Sequence, residues 1–176
     1  MIFFTSDLHF GHENIIRHCN RPFASADEMD AALTRNWNAV VGEKDEIYIL
    51  GDFTMRPAVE AHRCLTRLNG HKYLISGNHD RFLKGFTPYM SDFVWVKDYY
   101  VLSAGGKWLV LFHFPILEWY QFHRGAIHLY GHVHNSKISA ERLAALTGPA
   151  FNVGADVNSF TPVSIDEIFQ RAARMR

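Results

Sequence analysis

The chain has 176 residues, 48% of them hydrophobic and 20% charged, with 18 Lys+Arg balanced by 18 Asp+Glu. That length suits one globular domain, residues 1–176, with a real core. The zero net charge excludes the broad basic field that an extended nucleic-acid footprint needs. No apolar run reaches the length of a membrane span. The N-terminal run is too short and too soon polar for a secretion signal. Cys19 and Cys64 match no metal or disulfide spacing. A cytoplasmic protein with no membrane partner is expected.

The first predicted strand, Ile2 to Ser6, ends in Asp7-Leu8-His9. On an extended backbone residues two apart face one side, so a carboxylate and an imidazole project together. Such an Asp also serves as a cap or turn residue. Gly11, His12, Glu13 and Asn14 lead into a short helix, Ile15 to His18, which Arg21-Pro22-Phe23 breaks. Ser25 to Glu28 has the form of a helix cap. Met29, Leu33, Trp37, Val40 and Val41 then recur at helical spacing as core positions. The second strand, Glu46 to Leu50, ends in Gly51-Asp52, and a helix is predicted over Pro57 to Leu68 with Gly70 as its stop. The third strand, Lys72 to Ile75, runs into Ser76-Gly77-Asn78-His79-Asp80, where Asp80 could orient the His79 imidazole.

The pattern then changes. Phe93 to Val96 and Tyr99 to Leu102 are β-rich, and Gly105-Gly106 is a hairpin turn. Lys107 to Phe112 returns and ends in His113. A switch from alternating helix and strand to an antiparallel section predicts two sheets packed face to face. Ile127 to Tyr130 follows and ends in Gly131-His132-Val133-His134. On an extended backbone His132 and His134 face one way and Val133 the other, into the core. A short helix over Ser139 to Leu146, a late strand Ala150 to Val153, a polar turn over 154–158 and a helix opened by Ser164 complete the chain.

Five apolar runs thus end in polar motifs: Asp7/His9, Asp52, Asn78/His79, His113 and His132/His134. In layered α/β proteins, ligands bind at the carboxyl ends of strands. Asp7, His9, Asp52, Asn78, His113, His132 and His134 supply oxygen and imidazole donors and no thiolate. That mix suits Mn, Fe, Ni or Zn better than an all-oxygen calcium site, and seven ligands suit two ions sharing a bridge.

Asp7-x-His9, Gly51-Asp52, Gly77-Asn78-His79-Asp80, His113 and Gly131-His132-x-His134 resemble the full ordered motif set of the calcineurin-like metallophosphoesterases. The resemblance spans residues 1 to about 170. Phe10-Gly11-His12, Arg21-Pro22-Phe23 and Asn152-Val153-Gly154 are similar to a compact bacterial and phage branch of predicted phosphoesterases. It implies a four-layer α/β/β/α sandwich of two mixed sheets flanked by helices, and a dinuclear centre with two divalent ions, Mn favoured and Fe, Ni or Zn as alternatives. Asp7, His9, Asp52 and His134 would hold one ion. Asp52, Asn78, His113 and His132 would hold the other, with Asp52 bridging. His79 would be the catalytic imidazole and Asp80 its partner. Met55 stands where the family often has a second Asp.

The chemistry expected of such a centre is hydrolysis of a small or nucleotide-type phosphodiester by a hydroxide shared between the ions. Phosphomonoesterase, nucleoside polyphosphate hydrolase and nuclease activities are alternatives, and a non-catalytic scaffold is a rival of another class. His12, Arg21 and Arg81, with Arg17, are candidate contacts to the substrate phosphate. Trp119, Tyr120, Phe122 and His123 could stack on a base or pack as core. Asn152, Asp156 and Asn158 read either as turn formers or as support for the ligands.

Overall fold

The structure is a computed structural model and describes residues 1–137, 141, 143, 144 and 146–175. One sheet has the order β4-β3-β2-β1-β9. Here β1 is Ile2–Thr5, β2 Glu46–Leu50, β3 His71–Ile75, β4 Trp95–Lys97 and β9 Val163–Ser164. Strands β1 to β4 run parallel and β9 antiparallel to β1. The second sheet has the order β5-β6-β7-β8, with β5 Tyr99–Ala104, β6 Lys107–Phe112, β7 Ile127–Tyr130 and β8 Ala150–Asn152. Its hairpin β5–β6 is antiparallel, and β6, β7 and β8 are parallel. Both sheets are therefore mixed, and the architecture is an α/β sandwich flanked by helices.

Strand alternation sorts the core. Phe3, Ile47, Ile49 and Leu74 face Met29, Leu33, Trp37 and Leu65 of helices α2 (Ala26–Val40) and α3 (Ala58–Leu65). Phe4, Tyr48, Leu50 and Ile75 face Leu109, Leu111, Ile127 and Leu129 between the sheets. Helix α4 (Ile165–Ala173) adds Ile165 and Ile168 to this inter-sheet cluster. On the outer side of the second sheet Val110 packs on Trp119 and Ala126.

Helix starts follow side-chain capping. Ser25 Oγ accepts the Glu28 N–H at 3.2 Å, and Glu28 Oε2 accepts the Ala24 N–H at 2.7 Å. Ser164 Oγ accepts the Glu167 N–H at 3.2 Å. Helix α1 is Glu13–His18.

Some expectations need correcting. Helix α3 stops at Leu65, three residues before the predicted end, and Pro57 caps it from outside. Val40 lies on the solvent side of α2 while Val41 is buried. The strand expected from Phe93 begins only at Trp95, because residues 81–92 form two 3₁₀ turns that deliver the chain late. Of the two readings of Trp119, core packing is the one observed: its Nε1 donates to Ala126 O at 2.8 Å and it is not among the residues lining the site cleft. The helix expected over 139–146 falls largely outside the described residues. No described helix is long and apolar enough to cross a membrane.

Candidate metal centre

The loops after β1, β2, β3, β6 and β7 converge at one end of the sandwich. Beyond β1 and β2 the backbone ladder continues into the loops. Asp7 N donates to Gly51 O at 3.0 Å and His9 N to Asp52 O at 2.9 Å. Pairing ceases to be regular there, since Asp7, His9 and Asp52 have φ of 55°, 54° and 56°. His132 and His134 are also left-handed, at 70° and 49°. These residues are five of the nine non-glycine positions with positive φ among the described residues. Non-glycine residues rarely adopt this region, and strained backbone clusters at functional sites.

The extended geometry expected at 132–134 is therefore replaced by a left-handed turn. Val133 is only half-buried and lines the cleft instead of the core.

Asp7, His9, Asp52 and His113 are at most 1% exposed. His134 and His79 are half-buried, and Asn78 and His132 form an exposed rim. Asp52 Oδ2 lies 3.6 Å from His9 Nε2 and 3.5 Å from His113 Nε2. Asn78 Oδ1 lies 3.1 Å from His113 Nε2 and 3.0 Å from His132 Nδ1. Ligand atoms of Asp7, His9 and His134 lie within 4.8 Å of one another, as do those of Asp7, Asp52 and His113. All seven predicted ligands are thus brought together.

The outer nitrogens are already committed. His113 Nδ1 lies 2.7 Å from Leu50 O, so Nδ1 carries the proton and Nε2 points inward. His134 Nδ1 donates to Asp156 Oδ2 at 2.7 Å. Such outer partners fix tautomer and ring orientation in metal sites. Among the described residues, His9 Nε2 is buried without a hydrogen-bond partner, and so is His79 Nδ1. A buried orphan polar atom calls for an unseen partner. For His9 Nε2, beside two carboxylates, a divalent cation fits that gap and this donor set.

Without an ion the electrostatics pull two ways, His9 and Asp52 towards their ligating forms and Asp7 and His134 away from them. Burial drives the His9 pKa down to about 3, so its imidazole is neutral and its lone pair is available. Burial opposes ionisation of Asp52, yet the His113 hydrogen bond and charge, with the His79 backbone N–H, outweigh it and hold the carboxyl at about 2. Burial pushes Asp7 up from its ordinary value. Burial also opposes a charged His134, but its bond to Asp156 outweighs this and raises it to about 10.

Two glycines are required by close approach. A Cβ at Gly77 would strike Asp52 Oδ1 and its backbone N, and one at Gly131 would strike Ser6 Oγ and Asp7 Oδ2. The peptide after Gly131 is what Asp7 holds, since His132 N donates to both Asp7 oxygens at 3.0 Å.

Asp80 does not orient His79. Its buried carboxylate accepts backbone N–H bonds from Asp52 at 2.9 Å, Phe53 at 2.8 Å and Gly77 at 2.8 Å. Burial still pushes this carboxyl up to about 7 against those donors. Asp80 fastens the β2 and β3 loops together, and His79 reaches Asp52 only through its backbone N–H, which donates to Oδ1 at 2.8 Å.

Arg21 is no substrate contact either. It is 4% exposed and forms a two-pronged pair with Asp156 at 2.8 and 2.9 Å. Its other donors hold Asp7 O at 2.7 Å and Leu8 O at 2.9 Å. Arg81 is exposed and lies outside the cleft lining, whereas His12 lines the cleft with its Nδ1 3.5 Å from His9 Nδ1. Asp156 is the residue that sequence reasoning undervalued. It follows strand β8 as the other site residues follow their strands, which was the available signal. Asn152 supports the same loop, donating to His134 O at 3.0 Å. Cys19 lies beside His134 and Asp156, with the three donor atoms within 4.8 Å.

Fold and site together define a two-sheet α/β sandwich with a strand-end cluster of carboxylates and imidazoles suited to metal ions. The chain is 35% identical over 169 residues to an uncharacterized protein, MJ1445, of Methanocaldococcus jannaschii, covering 95% of this chain and 88% of that one. It is 33% identical over 181 residues to the gene 66 protein of Mycobacterium phage D29, covering 88% of this chain and 87% of the phage protein. It belongs to the family of these two proteins. The solved structure of a protein of unknown function, AQ665 from Aquifex aeolicus, matches with a TM-score of 0.76 at 28% identity, covering 97% of this chain and 98% of that chain. No protein-family model matches.

Proposed function

We propose that this protein is a metal-dependent phosphodiesterase of the calcineurin-like metallophosphoesterase kind, acting on a small or nucleotide-type diester. The observation that carries the reading is Asp52 Oδ2 standing 3.6 Å from His9 Nε2 and 3.5 Å from His113 Nε2. Among the described residues, the buried His9 Nε2 has no hydrogen-bond partner. Asp7, His9, Asp52 and His134 would hold one divalent cation, and Asp52, Asn78, His113 and His132 a second, with Mn favoured over Fe, Ni or Zn. When bound, such a pair supplies Lewis acidity to the phosphoryl group and makes water acidic enough to attack near neutral pH. Asp7 and Asp52 are the only carboxylates in this donor set, so the loaded centre stays cationic and favours an anionic ester. His79, half-buried at the lip of the cleft, protonates the leaving oxygen. His12 hydrogen-bonds the substrate phosphate. A cytoplasmic setting goes with two unpaired cysteines, Cys19 and Cys64.

The test combines metal analysis with hydrolysis of bis(p-nitrophenyl) phosphate and its monoester in manganese. Wild type should bind about two ions and cleave the diester faster, and Asp52→Asn should lose the ions. Cleavage of neither ester by metal-loaded protein would overturn the reading. Preference for the monoester would move it to a phosphomonoesterase.

A further inference from the structure

The cleft over the centre has a volume of about 1020 Å³, far more than one phosphate ester at the donor cluster requires. One wall is helix α1 and its flanks, presenting His12, Ile15, His18 and Asn20, and the other is the 132–137 segment ending in Lys137. Asn135 Nδ2 donates to Cys19 O at 2.8 Å and ties the two walls together. Among the described residues none that lines this cleft is an aspartate or glutamate, although the chain as a whole is charge-neutral. The carboxylates Asp7 and Asp52 are buried beneath it. His18 and Lys137 are exposed, and among the described residues neither forms an ion pair.

We infer that the outer part of the cleft, at His18 and Lys137, takes a second, non-scissile phosphate of an extended substrate. A wall with hydrogen-bond donors and a cation but no acid repels nothing anionic and rewards a phosphate through charge-assisted hydrogen bonds. Ile15 and Leu143 add apolar lining against which a sugar or base packs. The inference rests on the phosphodiesterase reading.

Two substrate pairs test it. In one, a dithymidine diester is compared with and without a terminal phosphate. In the other, the p-nitrophenyl ester of thymidine 5′-phosphate is compared with that of thymidine 5′-diphosphate, where the phosphates adjoin directly. The added phosphate should raise kcat/KM by about tenfold in one pair, which identifies the spacing. In the His18→Ala, Lys137→Ala double variant that ratio should fall to about one. Apart from turnover, thymidine bisphosphate should bind metal-free protein more tightly than thymidine monophosphate, and that difference should vanish in the double variant. No gain in either pair, a gain that survives the double variant, or equal binding in wild type overturns the second subsite. If bis(p-nitrophenyl) phosphate is still cleaved in those cases, the phosphodiesterase reading stands alone. Hydrolysis of no ester at all overturns both.

Discussion

Arg21 and Asp156 are 135 residues apart in sequence and form a buried, two-pronged ion pair at 2.8 and 2.9 Å. The pair joins two loops of the site. Arg21 also holds the carbonyls of Asp7 and Leu8, and Asp156 also holds the His134 ring. Removing one partner of a buried pair is strongly destabilising, and here Asp156 would keep only His134 while the Asp7 and Leu8 carbonyls lose their donor. Arg21→Ala should therefore destabilise the protein by about 3–5 kcal/mol, measured by urea unfolding. Arg21→Lys should recover only part of this, because an ammonium cannot reproduce the fork. Equal stability of wild type and Arg21→Ala would show that the pair holds nothing.

Asp80→Asn tests the clamp between the β2 and β3 loops. An amide offers one oxygen where the carboxylate's two accept three N–H groups, and its NH₂ faces donors. Each buried N–H left unpaired costs about 1–3 kcal/mol. The variant should melt at lower temperature and bind manganese more weakly, by calorimetry. A shift in the pH–rate profile with metal affinity intact would instead restore Asp80 as the partner of His79.

His79→Ala should keep its metal content and lose about 10²–10⁴ in turnover of the diester. The side chain is half-buried with Nδ1 lacking a partner, so its removal breaks no protein hydrogen bond of that atom. Metal content by mass spectrometry and steady-state rates on one sample separate the two effects, and unchanged turnover removes His79 from the chemistry.

Metal loading should release protons. A pKa of about 10 for His134 means that the metal-free imidazole is protonated at pH 8, held so by Asp156. A ligand must be neutral, so binding expels that proton. Calorimetric titrations in buffers of different ionisation enthalpy should read about one proton released from this site in wild type and less in Asp156→Asn. The sign also fixes stability. The folded value is raised from 6.5, so metal-free protein loses stability as pH climbs from there through about 10. Melting temperatures that rise over that window would contradict the His134–Asp156 coupling.

Much of this molecule was legible in its sequence. The bounds of β2 and β6 follow from unbroken apolar runs, and the Ser25 and Ser164 caps from local side-chain chemistry. The convergence of the seven candidate donors could be read because each follows a strand, and parallel strands deliver their ends to one edge. Those signals are local, and period two or side-chain type is enough to carry them.

What only the tertiary structure decided is how the polar residues divide their work. Arg21, Asp80 and Asp156 have the composition of substrate or catalytic groups, and burial turned them into fasteners, because a charge out of water is tolerated only where backbone and opposite charge surround it. The turn at His132 and His134 was likewise unreadable. An extended spacing and a left-handed one have the same letters, and distant groups hold the left-handed one: Asp7 on the His132 N–H, Asn152 on the His134 carbonyl and Asp156 on the His134 ring.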